Sequence, residues 1–472
     1  MLEKNVDMAL IGKNYPSFLL GLDLLKKGKK VLLLDDDRFR YGESFTNYIG
    51  DIERNFLIEC GKELDSGPLI KIDNYLKRKN LTYDLLNKRI RLGADPWMNF
   101  LELSRKFFFC WDNEKNLKRN EFHALIKNCS GRKEFNVHYD GVVKKMASMI
   151  FQMDSTVELT FENITKCNLG NLIDLFIPFR KSVLSDDLSV DTRLHDFHTM
   201  IYAARGFYHN KPAFFGNDLE LLHLFLGLLS PLYEVDNERL QSDLMDCFTR
   251  EGGYFKKAWI SEYFFDKQVP WAMELDSFEG VVFPEMISFL GTLPEGVPIK
   301  FAPQSELYAS AVISWKNDDV RPCHEENEVW IFSSVDKIGT NEPFWQMWFS
   351  EGRITAMIYF CHQKGMKLNF VKKSLMRNLE KELKRHGFSV SEGFQDADVQ
   401  FSTDVCIREE KISISQMDRQ IQGRIAPRVM SMDENGGLQL LKKVYYLGPV
   451  VKKPLGLIST LHELNVSRKG WV

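Results

Sequence analysis

A strand, a helix and a second strand follow one another within the first 35 residues of the chain. Val6 to Ile11, reading VDMALI, is a mostly apolar run that ends at Gly12, as expected of a central parallel strand buried on both faces. From Ser17 to Lys27 the apolar positions Phe18, Leu22 and Leu25 recur at helical spacing, and Gly28 stands where a C-cap glycine belongs. Val31 to Leu34 is continuous and apolar and stops at Asp35. That order is the βαβ unit of a dinucleotide-binding fold, with Asp35 placed to hydrogen-bond a ribose hydroxyl.

The turn between strand and helix departs from the usual pattern. The G-x-G-x-x-G positions are Gly12, Asn14 and Ser17, so only the first glycine is kept. A side chain at Asn14 stands in the path of a pyrophosphate, and Asn is among the best N-cap residues, able to bond the helix amides that would otherwise hold phosphate. Pro16, near the first helical turn, removes one more amide donor. Ser17 is small enough to keep the helix close to the strand. Two outcomes stay open: the unit keeps its fold and holds no dinucleotide, or Gly12, Asn14, Ser17 and Asp35 still hold the adenosine half of one.

At 472 residues the chain is long enough for two or more structural units. Its 44% hydrophobic and 27% charged residues are ordinary for a globular protein. A net charge of −3 supplies no field to attract nucleic acid. The N-terminus, with Glu3 and Asp7 around a short apolar run, lacks the pattern of a secretion signal. The longest apolar stretch, 219–233, is broken by Glu220, His223 and Pro231, and reads as a buried helix instead of a membrane span. Eight scattered cysteines without a C-x-x-C pair fit reduced thiols, and a cytoplasmic location is expected.

The run Gly28, Lys29, Lys30, Val31, Leu32, then Asp35, then Gly42, Glu43 and Ser44, resembles the opening of the Rab GDP-dissociation inhibitors and escort proteins. These share their fold with flavin amine oxidases and phytoene desaturases. The resemblance implies that the segment Phe39 to Ser44, with Phe39, Gly42, Glu43 and Ser44, meets a partner protein. Tyr41 stands where the family has a glycine. Residues 235–290 are similar to the superfamily's return to its cofactor domain: a stripe of Leu240, Leu244 and Phe248, a break at Gly252 and Gly253, then strands over Trp259–Phe265, Val269–Leu275 and Val281–Phe289. Val444–Leu447 reads as a strand, Gly448 follows as a cofactor-site glycine, and Leu455–Leu464 as the closing helix; Pro449 replaces the family's aspartate.

The implied fold is α/β: a discontinuous Rossmann-like FAD/NAD(P)-binding domain from 1–60, 235–298 and 430–472, with a second α+β substrate or cap lobe from 61–234 and 299–429. Residues 61–234 read as mostly helical, with aromatic clusters such as Phe107, Phe108, Phe109 and Trp111. Val329–Phe332, Phe344–Phe349 and Ile354–Phe360 read as antiparallel strands, and Lys372–His386 as an amphipathic helix with Leu375, Leu379 and Leu383 on one face. The abundant phenylalanine suits an apolar cavity between sheet and helices, or plain core packing.

His195 and His198 have helical ligand spacing but no further ligand cluster, and Cys323-His324 and Cys361-His362 are strand neighbours that point apart, so no metal is assigned. The basic run Lys26–Lys30 suits a solvated helix end. No catalytic residue is assigned. The leading reading is a protein that binds a partner protein or an apolar small molecule between its lobes without redox chemistry, with FAD binding weakened or lost. The alternative is an active FAD-dependent oxidoreductase of the amine oxidase or phytoene desaturase type acting on an apolar substrate.

Overall fold

The structure is a computed structural model that describes residues 2–13, 15–35, 48–63, 70–84, 89–107, 131–152, 218–258, 260–266, 269–276, 280–290, 307–316, 328–333, 344–350, 352–362, 368–390, 392–401, 405–408, 411–414, 438–441 and 443–447. The expected opening is present: β1 (Leu2–Ile11), α1 (Tyr15–Lys26) and β2 (Val31–Asp35). Helix α1 stops at the expected glycine. Gly28 takes φ 77°, its N–H donates to Leu25 O at 2.9 Å, and the Lys29 N–H reaches back to Leu24 O at 3.0 Å, closing a Schellman motif that only a residue tolerant of positive φ forms cheaply.

Beyond β2 the described chain resumes at β3 (Tyr48–Ile49) and α2 (Asp51–Glu63), then β4 (Leu76–Asp84), β5 (Arg89–Leu92), α3 (Pro96–Phe107), α4 (Arg132–Gln152) and α5 (Asp218–Leu229). The stretch 61–234 is therefore less uniformly helical than its pattern predicts, because β4, β5 and β6 (Leu232–Val235) all belong to a sheet. The strand β4 hides from pattern reading because its period is broken. Lys79 is buried where an apolar residue would be expected, and its ammonium lies 3.0 Å from Glu234 on β6. The apolar stretch 219–233 likewise divides into α5 and β6 at Ser230-Pro231, where proline cannot continue the helix.

Helix α6 (Asn237–Arg250) buries Leu240, Leu244 and Phe248 as expected, with Asp236 accepting the Arg239 N–H as N-cap. Then comes β7 (Tyr254–Lys257), a strand that the sequence pattern does not mark, followed by the hairpin β8 (Ile260–Asp266) and β9 (Val269–Leu275) and by β10 (Gly280–Leu290), these three matching the expected strands to within a residue or two. The later chain supplies β11 (Leu307–Lys316), β12 (Glu328–Ser333), β13 (Phe344–Ser350), β14 (Arg353–His362), α7 (Leu368–Arg385), β15 (Asp398–Phe401), β16 (Val405–Arg408), β17 (Lys411–Ile414), β18 (Leu438–Leu441) and β19 (Val444–Leu447).

Two large sheets organise these elements. In the first, β7, β2, β1, β10 and β19 lie side by side and all parallel, with β9 and β18 joined antiparallel to β10 and β19. One face, carrying Met8, Leu10, Val31 and Leu33, packs with Phe18 and Leu22 of α1 and Leu244 and Phe248 of α6. The other, carrying Ala9, Ile11, Leu32 and Leu34, packs on Ile260, Met273 and Leu275 of the β8–β9 hairpin. Burial on both faces is what makes VDMALI and VLLL continuous apolar runs.

The second sheet runs β15-β11-β14-β13-β12-β4-β6-β3, with β5 on β4. Helix α7 covers one face, pressing Leu375, Leu379 and Leu383 onto Trp330, Trp345 and Ile358. The expected amphipathic stripe is thus the buried one, and the Trp345 indole N–H donates to Asn378 Oδ1 at 2.6 Å. The opposite face, with Leu81, Tyr83, Val329, Ile331 and Met357, joins the large core shared with α2 to α6. Where β3 and β6 pair, Tyr233 donates its hydroxyl to Asp51 Oδ1 at 2.9 Å and the Asp51 N–H donates to Ser230 Oγ at 2.7 Å, tying the start of α2 to the end of α5.

Candidate functional site at the carboxyl edge of the parallel sheet

Chain order reverses at β1. On one side its neighbour is β2, reached directly through α1; on the other it is β10, reached only after β7, the β8–β9 hairpin and helices α2 to α6. In an open α/β sheet the crevice outside the carboxyl ends of two such strands is where ligands bind. Register places Leu34 and Phe289 on either side of Ile11, with Tyr446 beyond Phe289 and Lys257 beside Asp35. At a strand spacing of about 4.8 Å the ends of β2 and β10 stand about 10 Å apart. The edge therefore assembles Lys257, Asp35, Gly12, Lys13, Phe289 and Leu290.

Gly12 ends β1 at φ 117°, a conformation that L side chains rarely adopt, so glycine is required there. Both of its backbone groups are engaged internally. Its N–H donates to Leu34 O at 3.0 Å, extending the β1–β2 ladder, and its carbonyl accepts the Ser17 hydroxyl at 2.5 Å. Ser17 is fully buried, so its hydroxyl is turned into the protein. Of the expected site residues, then, the structure brings together Gly12, Ser17 and Asp35, the last half-buried at the tip of β2. Asn14 and Gly448 lie outside the described residues, as do Phe39, Gly42, Glu43 and Ser44, the closing helix 455–464, His195, His198, Cys323 and His324.

Helix α1 begins at Tyr15, directly after the position expected to cap it, and carries no acidic side chain in its first turn. Burial, together with the nearby Cys60 thiol, pushes the Tyr15 phenol well above its usual range, so it stays protonated. Close helix packing, usually the task of the third loop glycine, falls elsewhere. A Cβ on Gly21 would stand 2.7 Å from Cε2 of Phe248 on α6, and one on Gly253 would stand 2.4 Å from Cε1 of the same ring. Phe248 is thus clasped between two glycines, one on α1 and one just past α6.

A second polar cluster went unforeseen. His386, just past α7, is buried with Nδ1 3.3 Å from Asp84 Oδ1 and Nε2 3.9 Å from Glu382 Oε2. Arg89 lies 2.8 Å from Asp84 Oδ2 and donates to the His386 carbonyl at 3.1 Å. The group joins the β4–β5 hairpin to the end of α7 as a clamp. Nothing local marks it in the sequence, since Asp84 and His386 are brought together only by the second sheet. Among the described residues no group of three or more His, Cys, Asp and Glu side chains could hold a metal, and no helix is long and apolar enough to cross a membrane.

No protein-family model and no curated protein matches the chain. Solved structures with partly similar chain arrangement include a geranylgeranyl bacteriochlorophyll reductase-like protein from Thermoplasma acidophilum, at 8% identity and TM-score 0.46, covering 100% of this chain and 78% of that one. A Rab GDI from Plasmodium falciparum is 13% identical, with TM-score 0.41 over 85% of this chain and 90% of its own. The peptidyl tryptophan dihydroxylase QhpG is 8% identical, with TM-score 0.41 over 84% of this chain, which spans 55% of the dihydroxylase. Similarity of this degree concerns chain arrangement and says nothing of ligand or activity.

Proposed function

We propose that the chain is a binding protein on a dinucleotide-type fold whose phosphate loop has closed on itself, and that it holds an apolar small molecule or a partner protein between its lobes without redox chemistry. The observation that carries the proposal is the bond from the buried Ser17 hydroxyl to the Gly12 carbonyl at 2.5 Å. FAD fits this loop poorly. A diphosphate is held by backbone N–H groups at the helix start. Here Pro16 has none, the Gly12 N–H is engaged by Leu34, and the Ser17 hydroxyl faces inward. Asn14, at the position before α1, completes the closure as N-cap in this reading.

The proposed lobes are those of the sequence reading, 1–60, 235–298 and 430–472 against 61–234 and 299–429. The pairing of β3 with β6 and the Asp51–Tyr233 bond support it, because they join the chain's exit from the first lobe to its return. Phe39, Gly42, Glu43 and Ser44 are proposed as the partner-facing segment, and a cytoplasmic site of action follows from the cysteine pattern. The opposing reading, an FAD-dependent oxidoreductase, draws support from Asp35 at the tip of β2, next to the strand that ends in Gly12.

The visible spectrum of the purified protein separates the two. A colourless protein that gains no flavin absorbance after incubation with FAD and gel filtration is the expected result. A yellow protein whose colour bleaches with dithionite would establish the oxidoreductase reading instead.

A further inference from the structure

The β8–β9 hairpin packs Tyr263, Phe265 and Met273 onto the parallel sheet and carries a different set of side chains on its other face. There the Trp271 indole stands with ring centroids 5.5 Å from Phe264 and 6.4 Å from Phe283 of β10. Trp271 is 52% exposed, and the two phenylalanines are half-buried. A shift in register turns the indole outward: Phe264 pairs with Ala272 but Phe265 pairs with Pro270, which leaves Trp271 as the extra residue of a bulge. One row away, Glu262 pairs directly with Glu274 across the hairpin. Both glutamates share the face of Phe264 and Ala272, because two residues separate them on each strand, a distance of about 7 Å. Like charges set opposite each other on neighbouring strands weaken the pairing. Yet neither glutamate has an ion-pair partner among the described residues, and no lysine or arginine of that set lies over Trp271. Strand β8 is also an outer strand, pairing only with β9 among the described residues, so the backbone groups of one edge point away from the sheet.

We infer that this face receives an extended, arginine-bearing segment of a partner protein, which lies along β8 with a guanidinium stacked on Trp271 and bonded by Glu262 and Glu274. Arginine suits both halves of the surface, since its planar cation stacks on an aromatic face and its fork of N–H groups matches a carboxylate. The cation also relieves the repulsion between the two glutamates. The open edge of β8 is what favours a peptide over a small organic cation, because an added strand bonds to the free main-chain groups while alternate side chains reach one face. A second copy of this chain joined along β8 suits the surface badly, since Glu262 and Asp266 of the two edges would be brought together. The site is distinct from the crevice at Gly12 and does not depend on what the lobes hold between them.

Calorimetric titration of the full-length protein with a short, end-capped peptide alternating arginine and valine, and with its citrulline twin, tests the inference. Citrulline keeps the shape of arginine and loses the charge. The wild type should bind the arginine peptide about tenfold more tightly, a margin typical of one charge-assisted contact, and Glu262→Gln/Glu274→Gln should bind the two alike. Trp271→Ala should weaken the arginine peptide several-fold. Equal binding of the two peptides by the wild type, a preference that survives in the double variant, or binding of neither peptide would overturn the inference. So would argininamide that binds as tightly as the peptide, the mark of a small-cation site, or a dimer in sedimentation velocity that the double variant loses, the mark of a second copy. Thermal melting adds an independent check. The double variant should melt at or above the wild-type temperature, because a like-charge pair has been relieved, and a lower one would mean that the glutamates already serve the fold.

Discussion

Gly252 and Gly253 adjoin in the sequence yet are required for different reasons, and a mutant cycle can separate them. Gly252 sits at φ 90° with open space around its missing Cβ, so alanine there suffers only backbone strain, about 1–2 kcal/mol. Gly253 has no such φ, but its Cβ would meet three atoms of the Phe248 ring at 2.4–2.7 Å. The ring has little room to retreat, because its other edge lies so close to Gly21 of α1 that a Cβ there would stand 2.7 Å from Cε2, and Phe18 stands edge-on with ring centroids 6.3 Å apart. Overpacking of this kind costs about 1–3 kcal/mol. Either alanine recovers about 0.4–1 kcal/mol by restricting the unfolded chain, so both single variants should lose about 1 kcal/mol net and look alike. The coupling to Phe248 tells them apart. Phe248→Leu removes the two nearest ring atoms, so it should return about 1 kcal/mol or more to Gly253→Ala and nothing to Gly252→Ala. Urea unfolding midpoints of the wild type, the three single variants and the two double variants, at equal m, measure both couplings. A null coupling for Gly253, or an equal one for the two glycines, would refute the claim that close approach of α6 to α1 fixes this corner.

Two buried or partly buried aspartates should give stability slopes of opposite sign. Burial pushes the Asp51 carboxyl above its usual value despite the bond from Tyr233 and the nearby Arg54, so the folded state holds its proton longer than the unfolded chain. Stability should therefore fall as pH rises from about 4 through the raised value, and melting curves of Asp51→Asn, which keeps the acceptor for Tyr233, should lack that slope. At Asp95, N-cap of α3, burial works the same way but is outweighed by bonds from Asn136, the Met98 N–H and Arg132, which hold the carboxyl below its usual value. Its contribution is complete above about pH 4 and is lost as pH falls through the lowered value. Protection from hydrogen exchange in the first turn of α3, corrected for the intrinsic pH dependence of the amides, should fall on acidification in the wild type and be low at all pH in Asp95→Ala.

The parallel sheet was legible because its strands are buried on both faces and its helix ends at a glycine with positive φ. Such features are local, so VDMALI, Gly28, VLLL, the Leu240–Leu244–Phe248 stripe and β9 could be read from neighbouring residues alone. What escaped depended on distant partners. Lys79 breaks the pattern of β4 because Glu234 waits for it on β6, and Asp84 meets His386 only after the second sheet has formed. The loop shows both sides of this. The loss of two glycines was plain in the sequence, and Ser17 was foreseen as small enough to preserve packing. That its hydroxyl turns inward to Gly12, and that Gly21 and Gly253 provide the close approach instead, could be found only in three dimensions.

Calorimetric titration with FAD of the wild type and of the Asn14→Gly/Ser17→Gly double variant bears most directly on a phosphate loop that bonds to itself. The expected result is no measurable heat for the wild type and saturable binding once both polar side chains are removed. Saturable FAD binding by the wild type, undiminished relative to the double variant, would contradict it.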